Sequence, residues 1–184
     1  MTPIHFVVYG KPQQRGSKTP WLPRHKDGSL VMKNGRPVIA TMDSNKNSKA
    51  WMQSVREAAI IALPSGFELI HMPVRLAVEF HFARPQSHFG SGKNAGTLKA
   101  TAPRLHAQSP DLDKLCRCLA DALIGIVIAD DKLIYSWNAQ REWTTGSEYA
   151  HVRIDAGENN FERLGREVAE RQNEVALEAL RKSE

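Results

Sequence analysis

Between residues 74 and 82 the chain alternates without a break. Val74, Leu76, Val78, Phe80 and Phe82 are apolar, and Arg75, Ala77, Glu79 and His81 stand between them. Successive side chains on an extended strand point to opposite faces, so this segment has one face to bury and one that water can meet. Such a strand needs sheet partners and a covering layer. The second constraint begins at Leu112, where Leu112, Leu115, Cys116, Leu119 and Leu123 fall on one narrow stripe at the helical 100° per residue. Gly125 supplies the stop. A one-faced strand and a one-faced helix cover each other, which points to a layered mixture of helix and sheet.

The remaining segments fit that frame. Ile4–Tyr9 reads as a strand closed by Gly10 and Pro12. Ser29–Met32 and Arg36–Ala40 flank Lys33-Asn34-Gly35, a hairpin signal. Ser44 or Asn47 caps a helix through Trp51, Val55, Ala58 and Ala62 that stops before Pro64, with Trp51 on its core face. Leu133, Tyr135, Trp137 and Ala139 alternate, as do Ala150, Val152 and Ile154; Trp137 and Trp143 share a strand face and are expected in the core. The order β, hairpin, α, β, loop, α, β, β, α predicts one compact α/β (α+β) domain over residues 1–157 with a mixed sheet. Residues 158–184 are expected as an amphipathic helical extension, with Phe161, Leu164, Val168, Val175 and Ala179 along one stripe. Residues 84–110 lack periodicity and are rich in Gly, Ser, Ala and Pro. A loop this long is expected either as a mobile basic flap over a substrate or as a tolerated insertion.

Charge narrows the function classes. The net charge of +5 admits a polyanionic partner, and its distribution says more. Residues 1–56 hold ten Lys/Arg against Asp27 and Asp43. Residues 84–110 hold Arg84, Lys93, Lys99 and Arg104 with no acid. Residues 109–131 reverse the balance, with Asp111, Asp113, Asp121, Asp130 and Asp131 against Lys114 and Arg117. A compact acidic spot in a basic chain suits a metal-dependent enzyme acting on phosphodiesters. Gly10 to Lys18 is not a P-loop, since the order of Lys and Ser is wrong and no helix follows. Cys116 and Cys118 diverge on a helix, which excludes a disulfide between them and leaves no zinc quartet. No run of about 18 apolar residues occurs, so neither a membrane span nor a signal peptide is expected, and a reducing cytoplasm is the expected compartment.

The acidic block carries the chemistry. Pro110-Asp111-Leu112-Asp113 places two carboxylates at i and i+2 on extended backbone, converging as the helix begins, with Asp113 also placed to cap it. Mg²⁺ takes one or two carboxylates and leaves room for water and phosphate oxygens. Asp130 and Asp131 follow the helix, and adjacent strand positions face opposite ways. One of the pair, Asp131 in preference, is expected to bind metal while the other supports it or faces solvent, and Asp130 stays among the metal candidates. Arg117 lies one turn beyond Asp113, where it either holds a scissile phosphate or forms an i, i+4 ion pair with Asp113 or Asp121. Spacing leaves these readings open, because isolated Asp-x-Asp pairs are commonly caps and turns.

Pro110-Asp111-Leu112-Asp113-Lys114-Leu115, then Arg117, Leu119, Asp121-Ala122-Leu123, Gly125 and Asp130-Asp131, resembles the RusA-type Holliday junction resolvases, particularly phage and prophage members. Gly10-Lys11-Pro12 and Gly16-Ser17-Lys18 also look like phage members, and the likeness spans roughly residues 4–155. The resemblance implies a homodimer, in a bacterial or phage-infected cell, that binds four-way and other branched DNA and makes paired symmetric nicks. It implies Mg²⁺, with Mn²⁺ as a substitute, on Asp111, Asp113 and Asp131, and a catalytic cation at Arg117. That position is usually lysine in the well-studied bacterial member of the family. Arginine keeps the charge but does not readily donate a proton, which favours phosphate stabilisation. Lys114 replaces the usual Asn and adds a cation beside the acids. Lys11, Arg15, Lys18, Lys93, Lys99 and Lys114 are the expected DNA contacts. Two other functions stand beside this one: a nuclease for flaps or forks, and a DNA-binding module without catalysis.

Overall fold

A computed structural model describes residues 2–157; the expected C-terminal helix, 158–184, lies outside the described residues. In chain order the elements are β1 (Ile4–Tyr9), β2 (Lys18–Trp21), β3 (Met32–Lys33), β4 (Arg36–Pro37), β5 (Ala40–Asp43), α1 (Ser48–Ala62), β6 (Val74–Ala83), α2 (Leu112–Leu123), β7 (Ile134–Thr144) and β8 (Tyr149–Ala156). The main sheet has the order β1-β8-β6-β7. β8 pairs antiparallel with both β1 and β6, and β7 runs parallel to β6. Since parallel neighbours cannot be joined by a tight turn, the chain must cross over between β6 and β7, and α2 is carried in that crossover. No helix of the described residues is long and apolar enough to cross a membrane.

β6 behaves as its alternation requires, with Val74, Leu76, Val78, Phe80 and Phe82 buried. They meet Ile4, Phe6 and Val8 of β1 and Ala150, Val152 and Ile154 of β8 in one core. Both helices lie over it: α1 packs on β1 and on α2, and α2 on β7. Trp51, Met52, Val55 and Ala59 form the buried side of α1. At about 25 cal/mol per Å² of apolar surface removed from water, this layer of large side chains is the main stabilising term. The hairpin forms at Asn34-Gly35, whose φ values of 48° and 73° suit the left-handed turn that matches strand twist.

Two expectations change. The buried stripe of α2 runs through Leu115, Cys118, Leu119, Ala122 and Leu123, whereas Leu112 and Cys116 are only half buried at its edge. The helix is turned slightly from the orientation its leucines alone predict, with the small residues Cys118 and Ala122 buried in place of Leu112 and Cys116, because α2 packs on α1 as well as on the sheet. Residues 84–110, expected without structure, contain two 3₁₀ turns (Gln86–His88 and Gly92–Asn94) and a bridge between Phe89 and Leu98. Their anchor is Trp143 of β7. His88 meets its ring edge-on at 4.9 Å, His106 lies at 4.1 Å, and the Arg84 guanidinium stands 5.5 Å from its centroid. His88 and His106 are both buried, so the basic segment has a small aromatic core of its own.

Candidate active site

Asp111 is the N-cap of α2 and stays extended (φ −68°, ψ 133°), while Asp113 falls in the first helical turn. This corrects the expectation that Asp113 caps the helix. The Asp111 carboxylate accepts nothing from the helix backbone and instead meets the Lys114 ammonium at 2.7 Å. That bond and that charge hold the Asp111 carboxyl below its usual range. Its backbone N–H donates to Gln14 Oε1 at 2.7 Å, and the Arg15 N–H donates to the Lys114 carbonyl at 3.0 Å. The segment before β2 is thereby tied to the first turn of α2.

From the other side, Arg141 of β7 donates to the carbonyls of Gln108 and Pro110 at 2.6 and 2.7 Å. One guanidinium thus fixes the backbone that delivers Asp111. Sequence reading missed Arg141, although its signal was present: it is a charge on the inward-facing register of β7, opposite Phe80. Gln14 carried no such signal, because its role depends on which backbone N–H it meets across the fold.

Asp130 and Asp131 do not lie on a strand. Asp130 caps a 3₁₀ turn over Asp131–Leu133, accepting from the Lys132 N–H at 2.9 Å and pairing with the Lys132 ammonium at 3.2 Å. The two bonds from Lys132 hold the Asp130 carboxyl low. Asp131 opens that turn and lines the cleft, with its side chain still in reach of the Asp130 carboxyl, so the placing of the two acids arises from a capped turn rather than from strand alternation.

A cleft of about 730 Å³ opens between α2 and β7, and Asp113, Arg117 and Asp131 all line it. Leu112, Cys116 and Ala139 lie in its apolar lining. Burial pushes the Cys116 thiol up to about 11, with the Asp113 charge adding to the shift, so the sulfur stays protonated and takes no part as a thiolate. Trp137, expected in the core, is 38% exposed on the cleft wall. Among the described residues β7 is the last strand of the sheet, and no further strand lies beside it.

The acids of the block divide by their partners. Asp111 pairs with Lys114, Asp121 with Arg15 at 2.6 Å, and Asp130 with Lys132. Among the described residues, Asp113 and Asp131 form no ion pair, and neither does Arg117. The i, i+4 pairing weighed for Arg117 is not made, because Asp121 is taken by Arg15. Adjoining the cleft along α2, a polar groove is lined by Arg15, Ser17, Thr41, Lys114, Arg117 and Asp121. Arg117 therefore reaches both the cleft and the groove.

Of the expected DNA contacts, the structure gathers Arg15 and Lys114 in that groove. Lys11 is exposed on the loop after β1, Lys93 is exposed on its 3₁₀ turn, and Lys99 donates to the Ser87 carbonyl at 2.9 Å. Lys18 lies in β2, opposite Asp43. Among the described residues no three His, Cys, Asp or Glu side chains stand close enough to enclose a metal ion. Two carboxylates on one cleft fit an open Mg²⁺ site completed by water and phosphate oxygens, not a closed protein cage.

No curated protein matches the chain. The sequence does match the family model described as Endodeoxyribonuclease RusA over residues 22–155. That span runs from the end of β2 through β8 and includes the whole acidic block, while β1 and the Gly16-Ser17-Lys18 loop precede it. The chain belongs to the RusA family of Holliday junction resolving endodeoxyribonucleases.

Proposed function

We propose that the chain is a Mg²⁺-dependent enzyme that resolves four-way DNA junctions by paired symmetric nicks, working as a homodimer. One observation carries the chemistry: the two acids of the block left without an ion pair, Asp113 and Asp131, line the same cleft as the unpaired cation Arg117. Carboxylates left without a partner on one cleft repel each other, and a bound cation would offset that repulsion. In this reading Asp113 and Asp131 hold the metal, and Asp111 joins them by leaving Lys114. That ion pair is exposed, and exposed pairs are weak enough to exchange. Asp130 takes no direct part and keeps Asp131 aimed by capping its turn.

A bound divalent cation supplies an activated water and neutralises charge on the phosphodiester. Arg117, one turn along α2 from Asp113, binds a non-bridging phosphate oxygen and stabilises the charge that grows there as phosphorus is attacked. Its guanidinium stays protonated, so it does not donate the proton to the leaving oxygen. Arg15 and Lys114 in the adjoining groove take the flanking backbone phosphates, with Lys11, Lys18, Lys93 and Lys99 as outer contacts. The twofold axis of a homodimer matches the near-twofold symmetry of a junction and would place one cleft on each of two opposed strands.

The test is cleavage of a synthetic four-way junction with and without Mg²⁺ or Mn²⁺, with products mapped on all four strands, beside fork, flap and duplex substrates. Two opposed nicks that vanish in Asp113→Asn and Asp131→Asn are expected. A rate drop of about 100-fold or more in each is anticipated for a group that acts in the transition state. Preferred cutting of forks or flaps would replace the junction by another branched substrate. Junction binding with no metal-dependent product would leave a DNA-binding module only.

A further inference from the structure

The cleft that carries Asp113, Asp131 and Arg117 has a second wall that metal-assisted hydrolysis does not use. Trp137 stands on it 38% exposed, with Ile134 and Ala139 beside it on β7 and Leu112 and Ala120 opposite on α2. Charge and apolar surface therefore face one space. A nucleotide has the same two-sided chemistry, a charged phosphate joined to a base with flat apolar faces. In a continuous duplex those faces are covered by neighbouring base pairs; at a branch point, bases can be unstacked at low cost. Aromatic side chains accept any base face, whatever its sequence.

We propose that Trp137 is the stacking platform for one base unstacked near the branch point, seated in the cleft while Arg117 and the acids meet the phosphate backbone beside it. This rests on the nuclease reading above and assigns the apolar wall of the same cleft to substrate recognition. A ring held for packing alone would be expected under a neighbouring strand, but β7 is the edge of the sheet and Trp137 lies over the cleft. The neighbouring inward ring, Trp143, shows the contrast, since it is enclosed by His88, His106 and Arg84.

A cycle of paired changes tests this through binding, without cleavage. Wild-type protein and Trp137→Ala are titrated in metal-free buffer with a four-way junction and with variants carrying one abasic site at each nucleotide flanking the branch point in turn. Trp137→Ala is expected to weaken binding to the intact junction about 5- to 150-fold, the range for loss of one base–aromatic stack. At one position the abasic site should weaken wild-type binding by a similar factor and add less than about twofold to Trp137→Ala, as expected when both changes remove the same contact. Trp137→Phe should recover most of the affinity, and circular dichroism of Trp137→Ala should match wild type. Independent, multiplying defects at every position, or unaltered binding by Trp137→Ala, would overturn the proposal. A change from dimer to monomer in Trp137→Ala would also overturn it, by assigning the wall to a second copy of the chain. Loss of the nuclease reading shows elsewhere, as absence of Mg²⁺-dependent products, and leaves the binding cycle interpretable.

Discussion

Arg117 is an exposed guanidinium one turn from Asp113, with room to pair with either Asp113 or Asp121, yet it pairs with neither. Arg15 reaches across from the segment before β2 and occupies Asp121 at 2.6 Å, leaving Arg117 open on the cleft. In the proposed reaction a cation left open in that position would stabilise charge only when charge appears. Arg117→Ala should therefore lower kcat for junction cleavage by about 100- to 1000-fold, the cost of removing one preorganised donor. Arg117→Lys should recover part of it, because charge returns without the two-pronged geometry. Single-turnover rates at saturating enzyme separate this from a binding defect. Asp111 gives the complementary case. Its carboxylate makes no cap bond and its ion pair is exposed. Asp111→Ala should leave the melting temperature within about 2 °C of wild type, as surface changes do, while cleavage falls.

At the scale of elements, α2 has two jobs that different faces perform. Leu115, Leu119 and Leu123 fix it on the sheet, and each is fully buried. Leu119→Ala should cost about 2–5 kcal/mol in chemical denaturation, the range for a large core side chain cut back to a methyl. Its start is held by Arg141, whose two bonds to the Gln108 and Pro110 carbonyls connect β7 to the Asp111 backbone. The aromatic knot around Trp143 holds the basic segment 84–110, and it contains a pH-sensitive group. Burial, its largest cause, lowers the pKa of His106 from the ordinary 6.5, and the Arg141 charge acts in the same direction. Above 6.5 His106 is neutral both folded and unfolded, so the knot is intact. As the pH falls below 6.5 the unfolded chain takes up a proton that the folded one resists, and stability is lost. Protection factors for backbone hydrogen exchange across 84–110, corrected for the pH dependence of intrinsic exchange, should fall between pH 7 and 5, and His106→Gln should remove most of that fall.

For the whole molecule, the basic surface sets how the enzyme meets DNA. Ten Lys/Arg in residues 1–56 and four in 84–110 lie in the segments that precede the acidic block. Binding that neutralises phosphates releases counterions, so junction affinity should fall steeply with salt. Six to ten such contacts would give a loss of about 10³- to 10⁵-fold between 50 and 200 mM. Fluorescence anisotropy with a labelled junction in metal-free buffer measures the slope. Lys114→Ala should reduce that slope by about one contact. A slope near zero would remove the basic segments from the interface.

What the sequence by itself determined was the set of local patterns. The alternation of β6, the Asn34-Gly35 hairpin, the α1 and α2 periodicities and the acidic block all depend on residues near one another in the chain, where backbone geometry alone fixes which side chains share a face. It also carried the family, because Asp111 to Asp131 is one continuous block. Tertiary structure decided the rest. Which acids are free depends on where Arg15, Lys114 and Lys132 fall, and Arg15 lies far from Asp121 in sequence. The rotation of α2 depends on its packing against α1 as well as the sheet, and the place of β7 at the sheet edge, where Trp137 lies exposed, is not revealed by its own alternation. The segment 84–110 has no period because its order comes from three side chains gathered on Trp143, a long-range contact that no local pattern encodes.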